Sequence, residues 1–163
     1  MNDLKPINEK EQIEFATAEK FLLAYNVEFN TNFVAYEISD APDILCEDSK
    51  TNEKLALEIT LHEDLKGEIP YLLARKKEQP RSKITGNTVR QFEGDSLPIL
   101  IEVINKKLIK DYGKNVALVV RQVSPIPWTF DIKYIRSKVS LQNNPFDKGI
   151  WILTSEFKII KVD

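Results

Sequence analysis

A chain of 163 residues with 42% hydrophobic and 29% charged residues is long enough to bury one core, and its composition excludes a disordered or fibrous protein. Twenty-three Lys and Arg stand against 25 Asp and Glu, so the formal charge of −2 excludes a general pull on polyanions and leaves nucleic-acid affinity to local patches. The single cysteine, Cys46, excludes an intramolecular disulfide, and no Cys/His cluster has the spacing of a structural zinc site.

No apolar leader follows Met1, and no stretch approaches the roughly 18 apolar residues of a membrane span. The expected location is therefore the cytoplasm, without a membrane partner. From Glu9 to Asn26 there is no Gly or Pro, and Phe15, Ala18, Leu22 and Tyr25 share one face at helical spacing, which predicts a first helix. Short apolar runs at Phe33 to Ile38, Asp43 to Cys46 and Lys54 to Thr60, separated by turn residues, predict three strands joined by hairpins.

The segment from about 62 to 95 reads as an excursion from the core, broken by Pro70 and Pro80. Its portion from Arg75 to Arg90 is the most basic of the chain, with Arg75, Lys76, Lys77, Arg81 and Lys83 as candidate contacts to nucleic-acid phosphates. Ser96 is an N-cap candidate for a second helix whose apolar face is Leu97, Leu100, Ile101, Ile104 and Leu108, ending near Gly113. Asn115 to Arg121 is a continuous apolar run of the kind found in a strand covered on both faces. Phe130 to Val139 suggests a third helix, and Gly149 to Thr154 with Phe157 to Val162 a closing hairpin. Trp128, Phe130 and Trp151 read as packing, because no basic residues interleave with the tryptophans as a base-stacking strip requires.

The chemistry-bearing residues are Pro42-Asp43 and Glu58-Ile59-Thr60. In a hairpin centred between Lys50 and Thr51, Asp43 and Glu58 are equidistant from the turn and face each other. Two opposed carboxylates repel unless compensated, and Mg²⁺, which takes hard oxygen ligands, is the natural compensator. The Ile59 carbonyl is a further candidate ligand. His62 would project to the same side as Glu58 and Thr60 and is expected to be exposed at the strand end.

These residues and the element order around them resemble the PD-(D/E)XK nuclease superfamily: Ala41-Pro42-Asp43, then Glu58-Ile59-Thr60, preceded by a helix and followed by a long helix and a buried strand. The resemblance spans roughly residues 9 to 121. It implies one α/β domain over 1–163 with a restriction-endonuclease-like αβββαβ core, a mixed central sheet flanked by helices, and a C-terminal β-hairpin. It implies that Asp43 and Glu58 bind Mg²⁺ or Mn²⁺ and that the activity is metal-dependent hydrolysis of phosphodiester bonds in DNA or RNA. Action within a homodimer or a larger defence or repair complex stays open.

The chain departs from the pattern at Thr60, where the superfamily usually has lysine. Thr60 belongs to the candidate site by position, although Thr suits a strand for steric reasons alone. The resemblance allows the lysine to come from the helix after the third strand, where Lys106, Lys107 and Lys110 are candidates. At about 100° per residue Lys107 flanks the apolar face and Lys106 points away from it, which favours Lys107. A first-helix glutamate is also implied, Glu14 with Glu19 as the competing choice, and both sit near the boundary of the Phe15/Ala18/Leu22 stripe, so the sequence barely separates them. The alternative to an enzyme is a catalytically inactive relative that binds nucleic acid or protein.

Overall fold

The computed structural model describes residues 5–6, 8–62, 89–124 and 131–163. Helix α1, Glu9–Phe29, is capped by Asn8, whose side chain accepts from the Glu11 N–H at 2.9 Å, and ends at Asn30 in the left-handed conformation. Strands β1 (Phe33–Ile38), β2 (Ile44–Asp48) and β3 (Lys54–His62) follow. Then come helix α2 (Val89–Leu108), strand β4 (Val116–Gln122), helix α3 (Ile132–Lys138) and the hairpin β5 (Ile150–Leu153) and β6 (Ile159–Lys161).

The strands form one mixed sheet in the order β1-β2-β3-β4-β5-β6. β1/β2, β2/β3 and β5/β6 are antiparallel, whereas β3/β4 and β4/β5 are parallel. Each parallel step requires a crossover, and the segments containing α2 and α3 supply the two. The protein is therefore an α/β structure with a mixed six-stranded sheet and three helices among the described residues.

Alternation along the strands sends side chains to two separate cores. One face packs Ile44, Cys46, Leu55, Leu57, Ile59, Ala117, Val119 and Leu153 under Ala18, Phe21 and Leu22 of α1. The other packs Ala56, Leu118, Val120, Ile150 and Ile152 against Leu100, Ile104 and Leu108 of α2 and Ile135 of α3. Trp151 joins the α1 core in edge-on contacts with Phe21, Tyr25 and Phe29, consistent with a packing role. Cys46 is buried within that core, and burial pushes its thiol up to about 12.

The β2/β3 turn is pinned by Asp48, whose carboxylate accepts N–H bonds from Asn32 (2.8 Å), Lys50 (2.8 Å) and Thr51 (3.0 Å). With Asn52 at φ 61° completing the turn, the strands pair as Ile44 with Leu57 and Glu47 with Lys54, a register centred between Lys50 and Thr51. Two expectations are corrected. Ser96 is not an N-cap: α2 extends back to Val89 and carries Pro98 within it, so Ser96 lies inside the helix and is buried. His62 is not exposed, because β3 runs on beside β4 as far as Gln122 and lodges the imidazole against Ser96, with Nε2 3.1 Å from the Ser96 carbonyl oxygen.

Among the described residues no helix is long and apolar enough to cross a membrane. The basic residues Arg75, Lys76, Lys77, Arg81 and Lys83 lie outside the described residues, as do Trp128 and Phe130.

Candidate functional site

The register of the β2/β3 hairpin sets Asp43, one residue before β2, opposite Glu58 in the middle of β3. Both carboxylates are buried, Asp43 with 3% and Glu58 with 4% of its surface exposed. Asp43 Oδ2 accepts the Ile59 N–H at 2.7 Å, which ties the carboxylate into the plane of the sheet where β2 begins. Its backbone carbonyl accepts the Ser39 N–H at 2.8 Å, closing the loop behind it.

The two helices approach this point from opposite faces. From α2, Lys107 donates to Glu58 Oε1 at 2.7 Å. From α1, Lys10 lies 3.1 Å from Glu14 Oε1 and 4.0 Å from Asp43 Oδ1. Glu14 is buried against the sheet, whereas Glu19 is exposed, so the helix turns the first and not the second toward the cluster. Of the three helix lysines, Lys106 pairs with Glu102 at the surface and Lys110 lies over the ring of Tyr112. Thr60 is half-buried, two residues beyond Glu58 on the same face of β3.

The electrostatics follow from burial. Asp43 is pushed up to about 7 by loss of hydration; the Ile59 N–H opposes this, the negative charges of Glu58 and Glu14 add to it, and Lys10 partly offsets it. For Lys107, burial works to lower the ammonium's pKa, but the hydrogen bond and charge of Glu58 outweigh that and hold it above its usual value. Tyr112 is held above its ordinary range, first by burial and then by the charge of Glu58.

One atom is left over. Glu58 Oε2 is buried and has no hydrogen-bond partner among the described residues, a costly state for a carboxylate oxygen unless something electropositive meets it. The Ile59 carbonyl points toward the same region. Even-numbered residues of β3 bond toward β4, as in Ala56 N–H to the Asn115 carbonyl and Val123 N–H to the His62 carbonyl. Odd-numbered Ile59 therefore turns its N–H and C=O toward the β2 side, where Asp43 sits.

Among the described residues no three His, Cys, Asp or Glu side chains gather as a metal cage. A donor set of two carboxylates and a backbone carbonyl instead suits Mg²⁺, which keeps several waters and commonly takes one or two carboxylates plus substrate phosphate. The residues present fit such an ion.

Two nearby residues were not singled out from the sequence. Lys10 precedes Glu14 by one helical turn, and that i,i+4 spacing was the available signal. Arg121 ends the apolar run of β4 and reaches α1, where its Nη1 donates to Thr17 Oγ1 at 3.0 Å. A charge closing a buried strand was the clue to it. Comparison of the chain with protein-family models, curated proteins and solved structures finds no match.

Proposed function

We propose that the protein is a divalent-metal-dependent nuclease hydrolysing phosphodiester bonds of DNA or RNA. The observation that carries the reading is the buried pair Asp43 and Glu58, with Glu58 held on one oxygen by Lys107 and unpartnered on the other among the described residues. The order α1-β1-β2-β3-α2-β4 supports it, being the order of a restriction-endonuclease-like core with both carboxylates at its expected strand positions.

In this reading Asp43, Glu58 and the Ile59 carbonyl hold Mg²⁺ or Mn²⁺. The bound ion supplies Lewis-acid polarisation of the phosphate and a water made acidic enough to attack at neutral pH. The remaining work falls to the chain. Ile59 N–H fixes one Asp43 oxygen and leaves the other directed to the cluster. Lys107 holds Glu58 by one oxygen and places a positive charge where negative charge grows on the phosphate in the transition state. Thr60 in the usual lysine position is compensated by Lys107 arriving from α2. Glu14, held by Lys10, adds negative charge at the Asp43 side.

The test is cleavage of single- and double-stranded DNA and RNA with Mg²⁺ or Mn²⁺ by the wild type, Glu58→Ala and Lys107→Ala, with metal binding followed by calorimetry. Metal-dependent cleavage that is lost in Glu58→Ala and falls by about 10²–10³ in Lys107→Ala is the expected result. Metal binding without cleavage of any substrate would replace the enzyme with a catalytically inactive nucleic-acid-binding or protein-binding module. Absence of both would remove the reading.

A further inference from the structure

Arg121 is a part-buried guanidinium with no counter-ion among the described residues. Among the described residues its one hydrogen-bond partner is Thr17, and no carboxylate lies within ion-pair distance of it. Removing a guanidinium from water is costly and is normally balanced by a carboxylate, a phosphate or several carbonyls. Burial accordingly lowers the pKa of Arg121.

The contact with Thr17 is built rather than incidental. The Thr17 hydroxyl spends its hydrogen on the Ile13 carbonyl at 2.7 Å, so the oxygen meets Arg121 as an acceptor. One guanidinium nitrogen is thereby fixed, while the other donors of the planar fork meet no partner among the described residues and can serve a ligand.

Its position is the second part of the argument. β3 and β4 are parallel, with Glu58 paired to Leu118 and Leu61 to Arg121, so Arg121 lies three residues beyond the level of Glu58. That is about 10 Å along the neighbouring strand, toward the end of the sheet where Asp43 lies. Arg121 projects to the α1 face, and Thr17 follows Glu14 by about one helical turn. Glu14 is engaged by Lys10, which also approaches Asp43. Lys10, Glu14, Thr17 and Arg121 thus form a line from the carboxylate pair across the end of the sheet.

We propose that Arg121, oriented by Thr17, binds a backbone phosphate of a nucleic-acid strand adjacent to the phosphate acted on at Asp43 and Glu58. The choice of ligand rests on the nuclease reading. The chemistry itself is that of a guanidinium fork with a phosphodiester, and Thr17 is a positioning residue.

The experiment measures binding apart from catalysis. Short fluorescein-labelled single strands of DNA and of RNA are titrated with wild type, Arg121→Gln, Arg121→Lys and Thr17→Val in EDTA at several salt concentrations, with fluorescence anisotropy as the readout. Thermal melting of each variant accompanies the titrations, and inorganic phosphate serves as competitor. Arg121→Gln is expected to weaken binding by about tenfold or more. Its log–log salt dependence should fall by about 0.7, one phosphate contact on a single strand. Arg121→Lys should retain the salt slope and recover part of the affinity, and Thr17→Val should weaken binding while leaving the slope.

Wild-type affinity and slope in a folded Arg121→Gln would overturn the proposal, as would binding of inorganic phosphate by a wild type with no affinity for either strand. If Arg121→Gln does not fold, Arg121→Lys and Thr17→Val decide by the same readouts. Wild-type protein that binds strands through Arg121 but cleaves none in Mg²⁺ or Mn²⁺ would sink the nuclease reading and leave the phosphate contact standing. Cleavage by the wild type with no effect of Arg121→Gln on binding or KM would do the reverse.

Discussion

Replacing Asp43 by Asn should stabilise the metal-free protein, and by an amount that grows with pH. Burial and the charges of Glu58 and Glu14 push the Asp43 carboxyl from 3.8 to about 7. A folded-state value above the unfolded one means that stability is intact below about pH 4 and is lost as pH rises through 7. About three units at about 1.36 kcal/mol each set an upper bound near 4 kcal/mol, and we take about 2–4 kcal/mol as the penalty above pH 7. Asparagine carries no charge at any pH, and its carbonyl oxygen can still accept the Ile59 N–H. Asp43→Asn should therefore melt roughly 5–15 °C above wild type at pH 8 in EDTA, the gain shrinking toward pH 4. Mg²⁺ should raise the wild-type melting temperature more than that of the variant, because binding to the folded state adds stability. The assay is differential scanning calorimetry of both proteins at pH 4 and pH 8, with EDTA and with Mg²⁺. A variant that melts at or below wild type at pH 8, or gains equally at both pH values, would refute the reasoning.

Lys107→Met removes the hydrogen bond to Glu58 Oε1 and leaves a buried carboxylate unpaired, so the metal-free protein should lose about 1–3 kcal/mol in urea unfolding at pH 7. Added Mg²⁺ should recover part of the loss; an unchanged midpoint would show that the ion pair does not stabilise the site. Asp48 accepts three backbone N–H groups that hold its carboxyl below the usual range, so its share of stability is present above its unfolded value and is lost as pH falls through the folded one. The wild-type advantage over Asp48→Asn should accordingly narrow in acid, the opposite trend to that of Asp43. Leu100→Ala, at a fully buried position on α2, should cost about 2–5 kcal/mol. Cys46 should react with a thiol reagent only as fast as the protein opens, since burial keeps its thiol protonated; prompt labelling in native buffer would contradict that.

The elements that were legible are those whose local pattern and tertiary role agree. β1 was readable because Phe33 to Ile38 is bounded by turn residues on both sides, and the β2/β3 register because a tight polar turn leaves one symmetric pairing. α2 was misjudged at its start because Ser96 followed shortly by Pro98 has the chemistry of a helix N-terminus. What overrides that local signal is tertiary: Ser96 is buried against His62, thirty-four positions away in the chain. His62 was misjudged for the complementary reason. A strand end beside a polar segment looks solvated, yet a parallel partner as long as β4 pairs β3 to its last residue and carries the imidazole into the interior.

The candidate site was legible only as far as its parts share a hairpin or a helix. Asp43 and Glu58 meet through hairpin symmetry, and Lys107 was separable from Lys106 by helical angle. The link between Lys107 and Glu58 spans forty-nine positions and depends on how α2 crosses the sheet, which no spacing rule supplies. Arg121 was hidden for the same reason, since its significance lies in Thr17, a residue 104 positions earlier on the opposite layer. The two cations also differ in a way that bears on function. Lys107 is neutralised by Glu58, whereas Arg121 meets no carboxylate among the described residues, and burial without compensation costs stability unless a ligand offsets it. A charge kept at that cost, at the same end of the sheet as a carboxylate whose second oxygen has no partner among the described residues, is a feature better accounted for by what the site binds than by what holds the fold together.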